Sequence, residues 1–247
     1  MILFTLIAGL YLWNRPTPHA PAGMVLIPAG EFIMGTDEGG YSVDPVSVFP
    51  NKPLLKDERP SHTVYLDTFA IDRIKVRNRD YQRFAIANGL PLPSGLEEVD
   101  PDQSVTGLTW KEAADYCASV GKRLPTEEEW EKAARGTDGR TYPWGNRFDP
   151  EIEKAVRASL PAKPILSPYG AEEMVGFGWE WTDDLYRPYP NNPYRAESFW
   201  KNVRVIRGGI GGDQPGALRL LTRTTTRFYA DPEKRDPHIG FRCAKSL

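Results

Sequence analysis

The sequence predicts an α+β domain poor in regular secondary structure. Three observations carry this. Glycine and proline are both abundant, at 22 and 23 of 247 residues, which sets frequent turns and short elements. Aromatic residues form 11% of the chain, so packing can gather around rings. Short stretches of strand alternation and of helix-capping chemistry follow one another, with no long heptad and no repeat.

The chain opens on Met1 to Trp13, an uncharged and mostly apolar run that ends at Asn14-Arg15 and the proline-rich stretch Pro16 to Pro21. At about 1.5 Å per residue it spans roughly 20 Å, short of the ~30 Å hydrocarbon core of a bilayer. Three readings stay open: an uncleaved signal anchor, a cleaved signal peptide whose charged start is missing, and an interfacial segment. Ala20-Pro21-Ala22 resembles a cleavage site but lies far from the apolar run. No cysteine follows the run, which excludes a bacterial lipoprotein anchor. The expected organisation is a membrane segment at 1–15, a linker at 16–23 and one domain at 24–247. The expected location is the cell membrane, with the domain facing the periplasm or the exterior.

Gly23 to Gly35 reads as two short strands about the turn Pro28-Ala29-Gly30. A polar Gly/Pro-rich loop from Thr36 to Glu58 follows, long enough to carry specificity. Arg59 to Phe69 alternates as a strand should. Asn78 is placed to cap a helix running to about Asn88, with Tyr81, Phe84 and Ala85 on one face and Gly89 as its stop. Thr109 with Glu112 forms a capping-box pattern for a second helix ending near Gly121, and Thr126 with Glu129 repeats it for a third ending at Gly136. Beyond Gly136 helical periodicity is weak, and Val203 to Arg207 and Leu218 to Phe228 read as strands.

Charge narrows the function classes. Thirty-one Lys and Arg stand against 33 Asp and Glu, so the cationic footprint of a nucleic-acid binder is missing. The basic cluster from Arg73 to Arg83 reads as a solvated helix face. No phosphate-binding glycine loop, nucleophile elbow or zinc-spaced Cys/His set is present.

Five short motifs stand in fixed order: Gly121-Lys122-Arg123-Leu124-Pro125-Thr126-Glu127-Glu128-Glu129-Trp130, Tyr142-Pro143-Trp144-Gly145-Asn146, Trp179-Glu180-Trp181-Thr182, Arg207-Gly208-Gly209 and Gly240-Phe241-Arg242-Cys243. Together they resemble the formylglycine-generating enzyme, or sulfatase-modifying factor, family over about nine tenths of the chain. The resemblance implies a compact, irregular fold distantly similar to C-type lectins. It implies a disulfide between Cys117 and Cys243, the only cysteines, against the alternative of two buried thiols. It also implies a calcium site in the loop before and through Trp-Glu-Trp, matched here by Glu173, Gly176, Gly178 and Glu180. The alternative there is a buried Glu180 satisfied by backbone N–H groups.

The family's reaction does not carry over so readily. Active members hold copper on two cysteines a few residues after Arg-Gly-Gly, where this chain reads Ile210-Gly211-Gly212-Asp213-Gln214-Pro215-Gly216-Ala217-Leu218-Arg219. Soft thiolates are what Cu(I) selects, so copper is not expected. A related branch holds iron on three histidines. Here His19 lies in the linker, and His62 and His238 read as structural, so iron is not expected either. The family's substrate groove maps to Arg219, Arg223, Arg227, Tyr229 and His238, whose arginines either engage an acidic partner or pair internally with carboxylates.

The leading functional expectation is a non-catalytic accessory, assembly or binding subunit of a membrane protein complex, for example respiratory or secretion machinery. An envelope oxidase or maturation enzyme acting on a peptide-derived substrate is the first alternative, and a lectin-like ligand binder the second.

Overall fold

The computed structural model describes residues 19–37, 55–93, 99–157, 164–209 and 217–247. The Met1 to Trp13 run, most of the Thr36 to Glu58 loop and Ile210 to Gly216 lie outside them. The described elements are β1 (Met24–Ile27), β2 (Gly30–Met34), β3 (His62–Leu66), β4 (Phe69–Asp72), α1 (Asn78–Ala87), α2 (Trp110–Ser119), α3 (Glu127–Arg135), α4 (Pro150–Arg157), β5 (Trp179–Leu185), a 3-10 turn (Glu197–Trp200), β6 (Arg204–Arg207), α5 (Ala217–Leu221), β7 (Arg227–Ala230), β8 (Ile239–Gly240) and β9 (Ala244–Ser246). No strand exceeds seven residues and no helix ten among them, as the glycine and proline content implies.

Three small sheets carry the structure. β1 and β9 flank β4, β2 pairs with β3, and the third sheet runs β7-β6-β5-β8. The strands on either side of Pro28-Ala29 therefore join different sheets: β1 pairs with β4 and β2 with β3, both antiparallel. In the third sheet β5 is antiparallel to β6 and parallel to β8. Trp179 through Thr182 of β5 are all buried, as expected of a strand covered on both faces.

One face of β5 turns Trp179 and Trp181 into a core with Tyr81, Tyr116 and Phe241. The disulfide Cys117–Cys243 crosses this core and ties α2 to the segment before β9. It closes a loop of 126 residues, worth about 5 kcal/mol in the chain-entropy picture. On the other face α3 packs against β5, β6 and β2, with Trp130, Ala133 and Ala134 in a second core beside Met174 and Val175.

Local chemistry sets two helix starts as the sequence predicts. The capping boxes Thr109/Glu112 and Thr126/Glu129 are both complete. Three expectations are corrected. Asn78 is the first helical residue of α1 rather than its cap, and its side-chain amide donates to the Asp100 carbonyl. α4 forms where little helix was expected: Asp149 accepts from the Glu151 N–H and Pro150 opens the helix, a pairing of cap and fixed φ that suits a helix start. Leu218 to Phe228 is not a strand throughout, since α5 ends at Leu221 and β7 begins only at Arg227.

Candidate functional site

The motif helix α3 directs its acidic first turn two ways. Glu127 and Glu131 turn inward. Arg207 from β6 donates to Glu127 Oε1 at 3.0 Å and to Glu131 Oε2 at 2.6 Å. Arg227 from β7 grips both oxygens of Glu127 at 2.8 and 2.7 Å. Arg135 and the Gly35 N–H complete Glu131. Next to this network Arg223 binds both oxygens of Glu58 at 2.6 and 2.7 Å, with the Thr225 hydroxyl on the same carboxylate. Burial pulls against the charge on Arg207 and Arg227, but the facing carboxylates raise both above the usual guanidinium range. Each of these buried charges has an oppositely charged partner, as a dry interior requires, although Arg207 Nε is left without a hydrogen bond.

Glu128 turns outward, into a cleft of about 740 Å³. Its walls are the start of α3, the end of β5 with Asp183 and Asp184, the β3 segment from His62, and Arg187 to Pro190, with Arg227 on its lining. β5 is docked to α3 here: the Asp183 N–H donates to the Pro125 carbonyl at 2.9 Å, and Asp184 accepts from the Glu127 N–H at 2.6 Å. Burial pushes the Asp184 carboxyl up to about 7, Glu128 adds to the rise, and the Glu127 N–H offsets part of it. Asp183 is also raised, mainly by burial, with Arg204 and Arg123 opposing. The Arg204 guanidinium lies over the Trp110 ring, 3.7 Å from its centroid. A carboxyl titrating near neutrality within a polar cleft can exchange a proton or receive a cationic group.

The five groove residues do not converge. Arg223 and Arg227 are fully buried in the pairs just described, so internal pairing, the second reading of these arginines, holds for both. Arg219 is exposed on α5, over the Phe148 ring. Tyr229 packs on Tyr186 in a separate cluster. His238 is exposed, and its carbonyl accepts from the Trp179 N–H. Only Arg227 reaches the cleft. His62 also lines the cleft, edge-on to Tyr189 at 4.9 Å, and His238 does not. Sequence reasoning missed the cleft, although Asp183-Asp184 directly after Trp-Glu-Trp-Thr was a signal for it.

The calcium ligand set is altered in a definite way. Glu180 is fully buried with both oxygens engaged: Arg242 donates at 2.6 and 2.8 Å, and Trp130 Nε1 at 2.9 Å. Its partners are side chains rather than backbone N–H groups. Calcium needs six to eight oxygens, and among the described residues no three His, Cys, Asp or Glu side chains converge on a metal position. The residues present do not fit the ion.

The Arg-Gly-Gly turn brings these parts into contact. The Gly176 N–H donates to the Gly208 carbonyl at 2.8 Å. Gly208 and Gly209 have φ of +102° and +66°, and a Cβ on Gly209 would lie 2.3 Å from the Leu221 carbonyl. Only glycine fits such an approach. The motif is explained by packing.

A family model described as the sulfatase-modifying factor enzyme 1-like domain matches residues 13–247. The chain belongs to this family. Among relatives of this sulfatase-modifying factor domain, the mouse protein named inactive C-alpha-formylglycine-generating enzyme 2 is 30% identical, with 96% of this chain and 92% of that protein covered. Hercynine oxygenase of Mycolicibacterium smegmatis is 30% identical over 92% of this chain and 62% of its own length. Among solved structures, PvdO from Pseudomonas aeruginosa superposes with a TM-score of 0.66 at 25% identity, covering 91% of this chain and 94% of that one. The fold is that of the family, as the motifs predict.

Proposed function

We propose that this chain is a non-catalytic member of the sulfatase-modifying factor family that serves as an accessory or binding subunit of a membrane protein complex. One observation carries the non-catalytic part: the only two cysteines are bonded to each other across the core, and neither lies in the segment that follows Arg-Gly-Gly. Copper-thiolate chemistry needs free thiolates, and this chain has none to give. A mouse relative bearing the name inactive supports the same reading. The apolar run Met1 to Trp13 followed by a proline-rich linker supports attachment to the extracytoplasmic side of a membrane. Among the described residues no helix is long and apolar enough to cross a membrane, so that part rests on the sequence of the run.

The test is mild detergent extraction of the native protein, with mass spectrometry of what migrates with it and metal analysis of the same fraction. Stoichiometric membrane subunits support the proposal. A free monomer carrying copper or iron overturns it.

A second reading, an envelope maturation enzyme, draws on the cleft at Asp184, whose carboxyl is pushed up to about 7. Turnover of a peptide-derived substrate that is lost in Asp184→Asn, with folding intact, would put it first.

A further inference from the structure

The loop from Glu172 to Glu180 closes around two side-chain cations. Arg242 holds Glu180 by two hydrogen bonds, donates to the Glu172 carbonyl at 3.0 Å, and reaches the Asp72 and Arg73 carbonyls. The second cation is Lys75. It comes from the turn after β4, is 5% exposed, and places its Nζ 3.4 Å from the Glu173 carbonyl oxygen and 6.0 Å from the centre of the Phe177 ring. Burial lowers the Lys75 pKa; Glu180 opposes that, Arg242 adds to it, and Glu173 opposes it again.

We infer that the Lys75 ammonium, bonded to the Glu173 carbonyl, is the resident cation of this loop and takes over the role of a divalent ion, so that the domain holds Glu173 to Glu180 without calcium. Charge makes the case. Arg242 already neutralises Glu180 through two hydrogen bonds, and Lys75 adds a second positive charge at the Glu173 carbonyl. A calcium ion entering beside both cations would bring two uncompensated positive charges into a buried site, where desolvation is costly. It would also have to strip Glu180 of Arg242 and Trp130. A tethered ammonium supplies the same attraction for the Glu173 carbonyl with no loss of a free ion's entropy. The same device recurs at the β1–β2 turn, where Lys132 Nζ donates to the Pro28 and Gly30 carbonyls at 2.8 Å each.

Thermal unfolding of the full chain in detergent tests this, in EDTA and in calcium at about 10 mM, above the ~1 mM limit of weak extracellular calcium modules. The wild-type Tm is expected to be the same in both. Lys75→Met, which keeps the stem and removes the charge, is expected to lose about 5 to 15 °C in EDTA and to regain part of it in calcium. A wild-type Tm that rises with calcium and falls in EDTA overturns the inference, and this arm stands even if the variant does not fold. A variant that loses stability and gains no calcium response makes Lys75 an ordinary buried lysine and also overturns it.

Discussion

The first turn of α3 feeds two regions that share a chemistry and differ in its balance. Inward, Glu127 and Glu131 meet Arg207, Arg227 and Arg135, and each carboxylate oxygen has a cationic or N–H donor. Outward, Glu128 and Asp183 both add to the burial that raises the Asp184 carboxyl. Matched charges in the interior fix geometry and specify how the sheet meets the helix. The cleft acids are less completely matched: Asp184 accepts from the Glu127 N–H but among the described residues has no guanidinium on it, so its burial in the charged form is costly. The signature motif is thus mostly architectural: its inward carboxylates hold the domain together, and the acids at its outward side line the cleft, a place on the described surface where a ligand or partner could meet an unpaired carboxylate.

The largest expected effect breaks the inward region. Glu58→Gln leaves the fully buried Arg223 guanidinium without its carboxylate, so a loss of about 3 to 5 kcal/mol is expected, or roughly 6 to 20 °C in Tm. Glu58→Met combined with Arg223→Leu is expected to cost less than either single change, because no orphan charge remains. Urea titrations of Glu58→Gln, of the two singles Glu58→Met and Arg223→Leu, and of the double check this. A double variant as unstable as the sum of the singles would show that the pair does more than cancel its own burial.

The next effect belongs to the cleft and to pH. The Asp184 carboxyl lies at about 7 in the fold against 3.8 for an ordinary aspartate. The folded state thus binds the proton more tightly than the unfolded chain. Its contribution to stability is full below about pH 4 and is lost as pH rises through about 7. Buried Asp57, also pushed up to about 7 by burial despite Arg227, adds a loss in the same window. Asp184→Asn keeps an oxygen to accept the Glu127 N–H and removes the titration. It is expected to flatten the fall in stability between pH 4 and 7 and to be more stable than wild type at pH 8 by on the order of 1 kcal/mol. Unfolding free energies measured across that range decide it, and parallel wild-type and variant curves would contradict the raised Asp184 titration.

The two regions also differ in how much of them the sequence disclosed. The helix starts at Thr109 and Thr126 were legible because a capping box lies within four residues. The motif order announced the family and with it the link between Cys117 and Cys243. The inward network was half legible: the abundance of arginine and glutamate allowed internal pairing, but Arg207 to Glu131 spans 76 positions and Arg223 to Glu58 spans 165. No local pattern encodes which pair forms. α4 was missed because its start, Asp149-Pro150, is a two-residue signal with little periodicity behind it. The cleft was missed because its acids arrive from β5 and α3 and meet only when Asp184 caps Glu127.

The smallest effect is expected at a single charge. After burial, the Glu128 carboxylate does most to raise Asp184, and among the described residues Glu128 has no guanidinium partner of the kind that Glu127 and Glu131 have. Glu128→Gln removes that repulsion while leaving a side chain of the same shape. The Asp184 titration midpoint is expected to move down from about 7 toward the ordinary carboxylate range, with a gain of a few tenths of a kcal/mol at neutral pH. Carboxyl-carbon NMR of Asp184 reads the midpoint directly. The shift is expected to shrink in high salt, because charges at a cleft mouth are screened where buried pairs are not. Glu127→Gln, one residue away, is expected instead to destabilise by several kcal/mol, since it leaves buried Arg227 facing a neutral group and Arg207 with Glu131 as its remaining carboxylate. Equal effects from the two neighbouring glutamates would mean that the inward and outward regions are one electrostatic unit, and the division between scaffold and cleft would fall.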